Sequence, residues 1–166
     1  MTGTITYKLE GGDDFTRYVL DLIFTTLGLR STETDSDTAD LYYGNAPASS
    51  DYAVVIPKNR SDVLWDELLS GKVNSTDMGK ILPFDLVNAV GYFLADVGNI
   101  GLTGDHYDEH GRLKSQYSFQ ASHELGNVPI VNVYISFLRE LLELRIQAVG
   151  TTMWPEGKKC AIALSH

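Results

Sequence analysis

With 166 residues, 43% of them apolar, the chain is long enough for one domain with a real core, or for one domain and the edge of a second. Thirteen basic residues stand against 22 acidic ones, a net charge of −9, which excludes a general nucleic-acid binder and a module that docks by charge on an anionic membrane. The single cysteine, Cys160, rules out an intrachain disulfide. No stretch reaches about 18 apolar residues and no signal peptide opens the chain, so the cytoplasm is the expected compartment.

Residues 4–9 alternate β-branched or aromatic with polar side chains, the pattern of a short strand. Gly11 and Gly12 break it, and Asp13 or Asp14 is placed to cap a helix. Phe15, Tyr18, Val19, Leu22, Ile23 and Leu27 follow at three- and four-residue spacing and predict one buried face, closed by Gly28 in a left-handed cap. Residues 29–34 read as a second, more polar strand. Asp35 and Asp37 sit in an acidic run that could hold a cation. It lacks the glycine and closing glutamate of a calcium loop, so an acidic surface loop is expected. Two further strands follow, at 39–44 and at 52–57, where Pro57 ends the ladder.

Ser61-Asp62 predicts the start of a second helix carrying Val63, Leu64, Trp65 and Leu68, with Gly71 closing it. Residues 72–80 read as a polar linker. Pro83 opens a third helix that is apolar nearly all round from Phe84 to Val97 and so is expected between layers, with Asn88 as a satisfied core amide. Residues 99–122 show little periodicity. The last helix is expected from Val131 to Ala148. Its buried face is Val131, Tyr134, Ile135, Leu138, Leu141 and Leu142, and its wet face Ser136, Glu140, Glu143 and Gln147. Beyond it, Trp154-Pro155-Glu156-Gly157 makes a turn, and the apolar run at 160–164 reads as a buried strand that carries Cys160. The fold class expected is α/β: a small mixed sheet flanked by helices in layers, with 1–150 as one domain and 151–166 as a linker and the first strand of another.

One loop gathers titratable side chains: Asp105, His106, Asp108, Glu109, His110 and Arg112. His106 and His110 are four apart, a metal-ligand spacing on a helix. Gly111 and the flanking charges favour a turn instead, where that spacing guarantees nothing, and no third ligand is indicated. A small metalloenzyme built on this loop is the weaker alternative.

The run from Met153 to His166 resembles the lead-in to the catalytic domain of the polysaccharide deacetylase family. In one branch of it a Ser/Thr-His pair stands directly before Asp-Val-Asp, and Ser165-His166 fits that pair. Upstream, four separated motifs resemble an N-terminal domain that many of these deacetylases carry. They are Tyr42-Tyr43-Gly44 followed by Val55-Ile56-Pro57, then Pro83-Phe84-Asp85 with Tyr92-Phe93-Leu94, then Asp108-Glu109-His110-Gly111-Arg112, and Pro129-Ile130-Val131. The stretch 95–101 departs from the family, which places an arginine and two acidic residues there.

The resemblance implies an enzyme in which an Asp acts as base, a divalent, zinc-type metal sits on an Asp and two His, and water attacks an acetamide carbonyl. Those groups would follow His166. It therefore implies no catalytic residue, metal ligand or cofactor within this chain, an inactive domain whose partner is the deacetylase domain of the same polypeptide, and a glycan as a further partner. Asp108, His110 and Arg112 have two roles open to them: Arg112 pairs with Asp108 and pins the loop to the next domain, or the three contact sugar or substrate at the domain junction. A reading of another class is a stand-alone α/β domain that binds a protein or a sugar nucleotide.

Overall fold

The computed structural model describes residues 3–45, 51–58 and 65–146. The expected helix start at Ser61-Asp62, the side chains of Val63, Leu64 and Trp65, the residues Gln147 and Ala148, and everything from Thr151 to His166 lie outside them. Four strands, β1 (Gly3–Leu9), β2 (Leu29–Glu33), β3 (Leu41–Gly44) and β4 (Val54–Pro57), form one sheet in the order β2-β1-β3-β4. Among the described residues five α-helices accompany it: α1 (Asp14–Thr26), α2 (Trp65–Leu69), α3 (Leu86–Leu94), α4 (Phe119–Ser122) and α5 (Ile130–Arg145). The layered α/β class is as expected. The sheet, expected to be mixed, is parallel at every pairing.

The reason lies in a stagger. β2 ends with Glu33 beside Tyr7, and β3 begins with Leu41 beside the same Tyr7, on the opposite side of β1. A short connection can therefore carry the chain across β1 without a crossover helix. Residues 34–40 make that crossing, and the acidic run supplies its tethers. Asp37 accepts from the Lys8 ammonium at 2.6 Å, and the Asp40 carboxylate accepts from the Thr6 N–H and hydroxyl, both at 2.8 Å.

The register puts Ile5, Tyr7, Leu41, Tyr43, Val54 and Ile56 on one face, and α1, α3 and α5 pack there as a single core. The opposite face is covered differently. At its β3–β4 end lies a small cluster of Ala39, Tyr42, Tyr52 and Val55, while Thr4, Arg30 and Thr32 stay exposed. All-parallel sheets are usually covered on both faces. Here, among the described residues, the helices occupy one.

Asp13 caps α1, its carboxylate accepting from the Thr16 N–H at 2.8 Å, and Gly28 takes the left-handed conformation (φ +71°) just past the helix end. The buried face of α1 differs from the expected one. Phe15 and Tyr18 are 47% and 55% exposed and stack on each other, while Val19, Leu20, Ile23 and Phe24 are buried. Apolar side chains span well over half of this helix, and the sheet takes the half centred on Leu20 and Ile23. At about 100° per residue, Phe15 and Tyr18 fall outside that arc.

α3 starts at Leu86, later than expected, because Asp85 is its cap: the carboxylate accepts from the Asn88 N–H at 2.8 Å. Pro83 precedes the cap. Asn88, expected as a core amide, is exposed; the buried polar residue is Asp85, at 2% exposure. The helix ends at Leu94, where Asp96 turns left-handed (φ +54°) and a 3-10 turn, Val97–Asn99, begins.

The expected linker at 72–80 leads into the sheet. Val55 donates its N–H to the Lys80 carbonyl and accepts from the Leu82 N–H, so Ile81 bridges β4 in parallel. Residues 99–122 are ordered by 3-10 turns at Gly104–His106 and Ser115–Tyr117 and by α4. Asn99, buried, holds this stretch to α3: its amide nitrogen donates to Asp96 and its oxygen accepts from the Phe119 N–H at 2.7 Å. Phe119 in turn meets Tyr92 and Phe93 edge-on. α5 begins at Ile130 and buries Ile130 and Phe137 besides five of the expected residues, Tyr134, Ile135, Leu138, Leu141 and Leu142. Val131 is half-buried, and Ser136, Glu140 and Glu143 face water as expected.

Leu20→Ala is expected to cost about 2–5 kcal/mol of stability by leaving a cavity. Tyr18→Ala is expected to stay within about 0.5 kcal/mol, as exposed sites do. Urea unfolding of the two variants checks this; equal losses would mean that α1 sits on the sheet by its other face.

Candidate functional site

The loop that gathers titratable groups is a hairpin. Tyr107 and Leu113 form an antiparallel bridge, and Lys114 donates its N–H to the His106 carbonyl at 2.9 Å. The turn is closed by Asp108. Its backbone N–H donates to the Arg112 carbonyl (2.8 Å), and its carbonyl accepts from the Gly111 N–H (3.0 Å). Gly111 supplies the positive φ (+72°) that such a turn demands. The Asp108 side chain then gathers the tip: Oδ1 accepts from the N–H groups of His110 and Arg112, and Oδ2 accepts from Arg112 Nε, each at 2.9 Å.

The backbone N–H of Arg112 is the main reason that the Asp108 carboxyl lies below the usual carboxylate range. The His110 N–H and the Arg112 guanidinium push the same way. The pairing of Arg112 with Asp108 is observed, and it closes the hairpin on itself. The guanidinium remains largely exposed. The His110 ring is also exposed, with Nε2 3.5 Å from Glu109.

His106 and His110 do not share a helix. His106 lies on the flank of the hairpin, where Nδ1 is 2.6 Å from the Thr103 carbonyl and the ring stands edge-on to Tyr117. His110 lies at the tip. Among the described residues, no three His, Cys, Asp or Glu side chains are grouped as a metal site needs.

A second place follows from the topology. β1 connects to β2 on one side and lies against β3 on the other, so the carboxyl ends of β1 and β3 form a switch point, where open α/β sheets place their ligands. The chain's own groups tie this rim together. Glu10 accepts from the Tyr42 hydroxyl at 2.6 Å and from the Asn45 N–H at 3.0 Å, and Lys58 donates to the Gly11 carbonyl. The Tyr42 hydroxyl and the Asn45 N–H hold the Glu10 carboxyl below its ordinary range. Burial, and then the Glu10 charge, push the Tyr42 hydroxyl up. Arg17 spans from Glu33, with Nε and Nη2 both at 3.0 Å, to the Gly12 carbonyl.

Glu10 and Lys58 were not singled out in the sequence. The available signal was a strand running into Gly11-Gly12 and a helix cap. Asp13 and Asp14 occupy the start of α1, where a phosphate would have to sit. That charge opposes a sugar nucleotide.

The model of one protein family, described as "Family of unknown function (DUF7033)", matches residues 10–147. No curated protein and no solved structure matches the chain.

Asp108→Ala should loosen the hairpin and speed tryptic cleavage after Arg112 several-fold, while His110→Ala leaves it unchanged. Because the Asp108 carboxyl is depressed, its hold is complete above the ordinary carboxylate pKa and is lost as pH falls through its lower folded-state value. Amide exchange of Arg112 across acidic pH should show that loss; exchange indifferent to both Asp108→Ala and pH would contradict it.

Proposed function

The chain belongs to the DUF7033 family, whose function is unknown, and we propose that it is a non-catalytic accessory domain of a cytoplasmic carbohydrate deacetylase acting on N-acetylated sugars. The family match carries no activity, so the reading rests on the residues of the resemblance. The observation that carries it is the use the fold makes of those residues. Tyr43 of the Tyr-Tyr-Gly motif donates to Asp85 of the Pro-Phe-Asp motif in the core. Asp108 and Arg112 close a hairpin. Pro129 precedes the first turn of α5, and Ile130 is buried. Motifs spent on joints fit a domain that scaffolds chemistry performed elsewhere.

In this proposal the Asp base and the metal, held by an Asp and two His, belong to a deacetylase domain of the same polypeptide. No step of that reaction is routed through the described residues. Among them no helix is long and apolar enough to cross a membrane, which is compatible with the compartment proposed.

The test compares two proteins. The 166-residue chain, incubated with chitooligosaccharides and excess zinc, should release no acetate. A longer polypeptide, read past His166 into Asp-x-Asp, should release it. Acetate from the short chain, or a stop codon directly after His166 in the gene, would overturn the proposal.

A further inference from the structure

A groove of about 410 Å³ runs between the 68–74 segment and the outer face of α5, away from both the hairpin and the switch point. Its volume is in the range of small-molecule sites. Two rails of different chemistry line it. Leu68 and Val73 on one wall face Val133 and Phe137 on the other and make an apolar strip. Beside that strip, Asn132, Ser136 and Glu140 stand at successive four-residue steps of α5, one polar row about 12 Å long.

The row is open to a ligand. The side chains of Asn132 and Ser136 have no partner among the described residues. Glu140 has one: Ser75, only 2% exposed, donates to Oε2 at 2.7 Å. A buried hydroxyl thus fixes one carboxylate oxygen and leaves Oε1 free. Glu140 also lines a second hollow, with Ser75 and Leu144, that continues along the helix.

We propose that this groove binds a short, neutral, N-acetylated saccharide. Among the described residues no Lys or Arg lines it to recognise a phosphate, and Glu140 with a net charge of −9 opposes uronic acids. An amide, a hydroxyl and a carboxylate in a row pair with hydroxyl groups as donors and acceptors. The apolar strip beside them takes the C–H face of a sugar ring. The Asn132 amide next to Val133 matches an acetamido group, its N–H and C=O met by the amide and its methyl by the strip. A neutral peptide fits less well, because the groove offers neither a free sheet edge nor a deep apolar pocket of the kind peptides use. The choice of an N-acetylated sugar rests on the deacetylase reading; the groove itself does not.

The probe is chitotriose, titrated into the full 166-residue chain and followed by backbone amide shifts. Shifts should map to 68–75 and 129–144, with cellotriose weaker and uridine diphosphate silent. Ser136→Trp, which fills the groove from an exposed position, should abolish the shifts with the thermal midpoint unchanged. Glu140→Gln should weaken binding about tenfold, the loss of one charged hydrogen bond, and serves as the readout if Ser136→Trp fails to fold. Asp108→Ala should leave binding intact. No shift at millimolar chitotriose, shifts centred on 104–114, survival in both groove variants, or tighter binding of a neutral peptide than of chitotriose would each overturn the proposal. Acetate release by the longer polypeptide with no binding here would sink the groove alone. Binding here with no acetate release would sink the deacetylase reading alone.

Discussion

The structure depends on one buried contact between the sheet and its helical layer. Tyr43, on β3, donates its hydroxyl to Asp85 at 3.1 Å, and the other oxygen of that carboxylate caps α3 through the Asn88 N–H. A carboxylate at 2% exposure is costly unless each oxygen has work, and here each has. The cap fixes where α3 starts, and the tyrosine fixes where that start sits over the sheet. Burial, with the Asp85 charge behind it, pushes the Tyr43 hydroxyl well above its ordinary value, so it remains a donor. Phe84, one residue before, packs between Tyr134 and Phe137 and carries the same placement on to α5.

The consequences run outward from that joint. With α1, α3 and α5 gathered on one face, the opposite face carries the small Ala39, Tyr42, Tyr52 and Val55 cluster, exposed polar side chains on β1 and β2, and the crossing at 34–40. That crossing needs Asp37 and Asp40 because no helix supports it. On the far side of the helical layer, α5 turns Ser136 and Glu140 to the outside, and the 68–75 segment closes on them through Ser75. The acidic composition is thus used in several ways: as tethers across β1, as caps at Asp13 and Asp85, as the hairpin clasp at Asp108, and as a solvated surface.

Much of the fold could be read from the chain. Within the described residues, the four strands and the helices α1, α3 and α5 fall in the order their apolar periods predict, and the faces of α5 match closely because its apolar stripe is narrow. On α1 the spacing places Val19, Ile23 and Leu27 inside as found, but its apolar residues spread too widely to exclude Phe15 and Tyr18. Asn88 lies outside rather than in the core, and Asp85 is the buried cap, because periodicity cannot tell a cap from the first turn. The sheet's direction was hidden because parallel pairing depends on a stagger between strands that no local pattern records. Of the candidate site, the Asp108–Arg112 pair was legible, since Gly111 marks the turn. Glu10, Lys58 and Ser75 were not, because their partners lie 32 or more residues away.

The motifs that resemble a deacetylase's companion domain make structural joints here, and the Tyr43–Asp85 pair is where two of them meet. A double-mutant cycle with Tyr43→Phe and Asp85→Asn isolates that pair, because asparagine still caps the helix. Urea unfolding of the four proteins should give a coupling energy of about 1–3 kcal/mol. Losses that add to within about 0.5 kcal/mol would show that the two motifs are not energetically joined and would contradict the account.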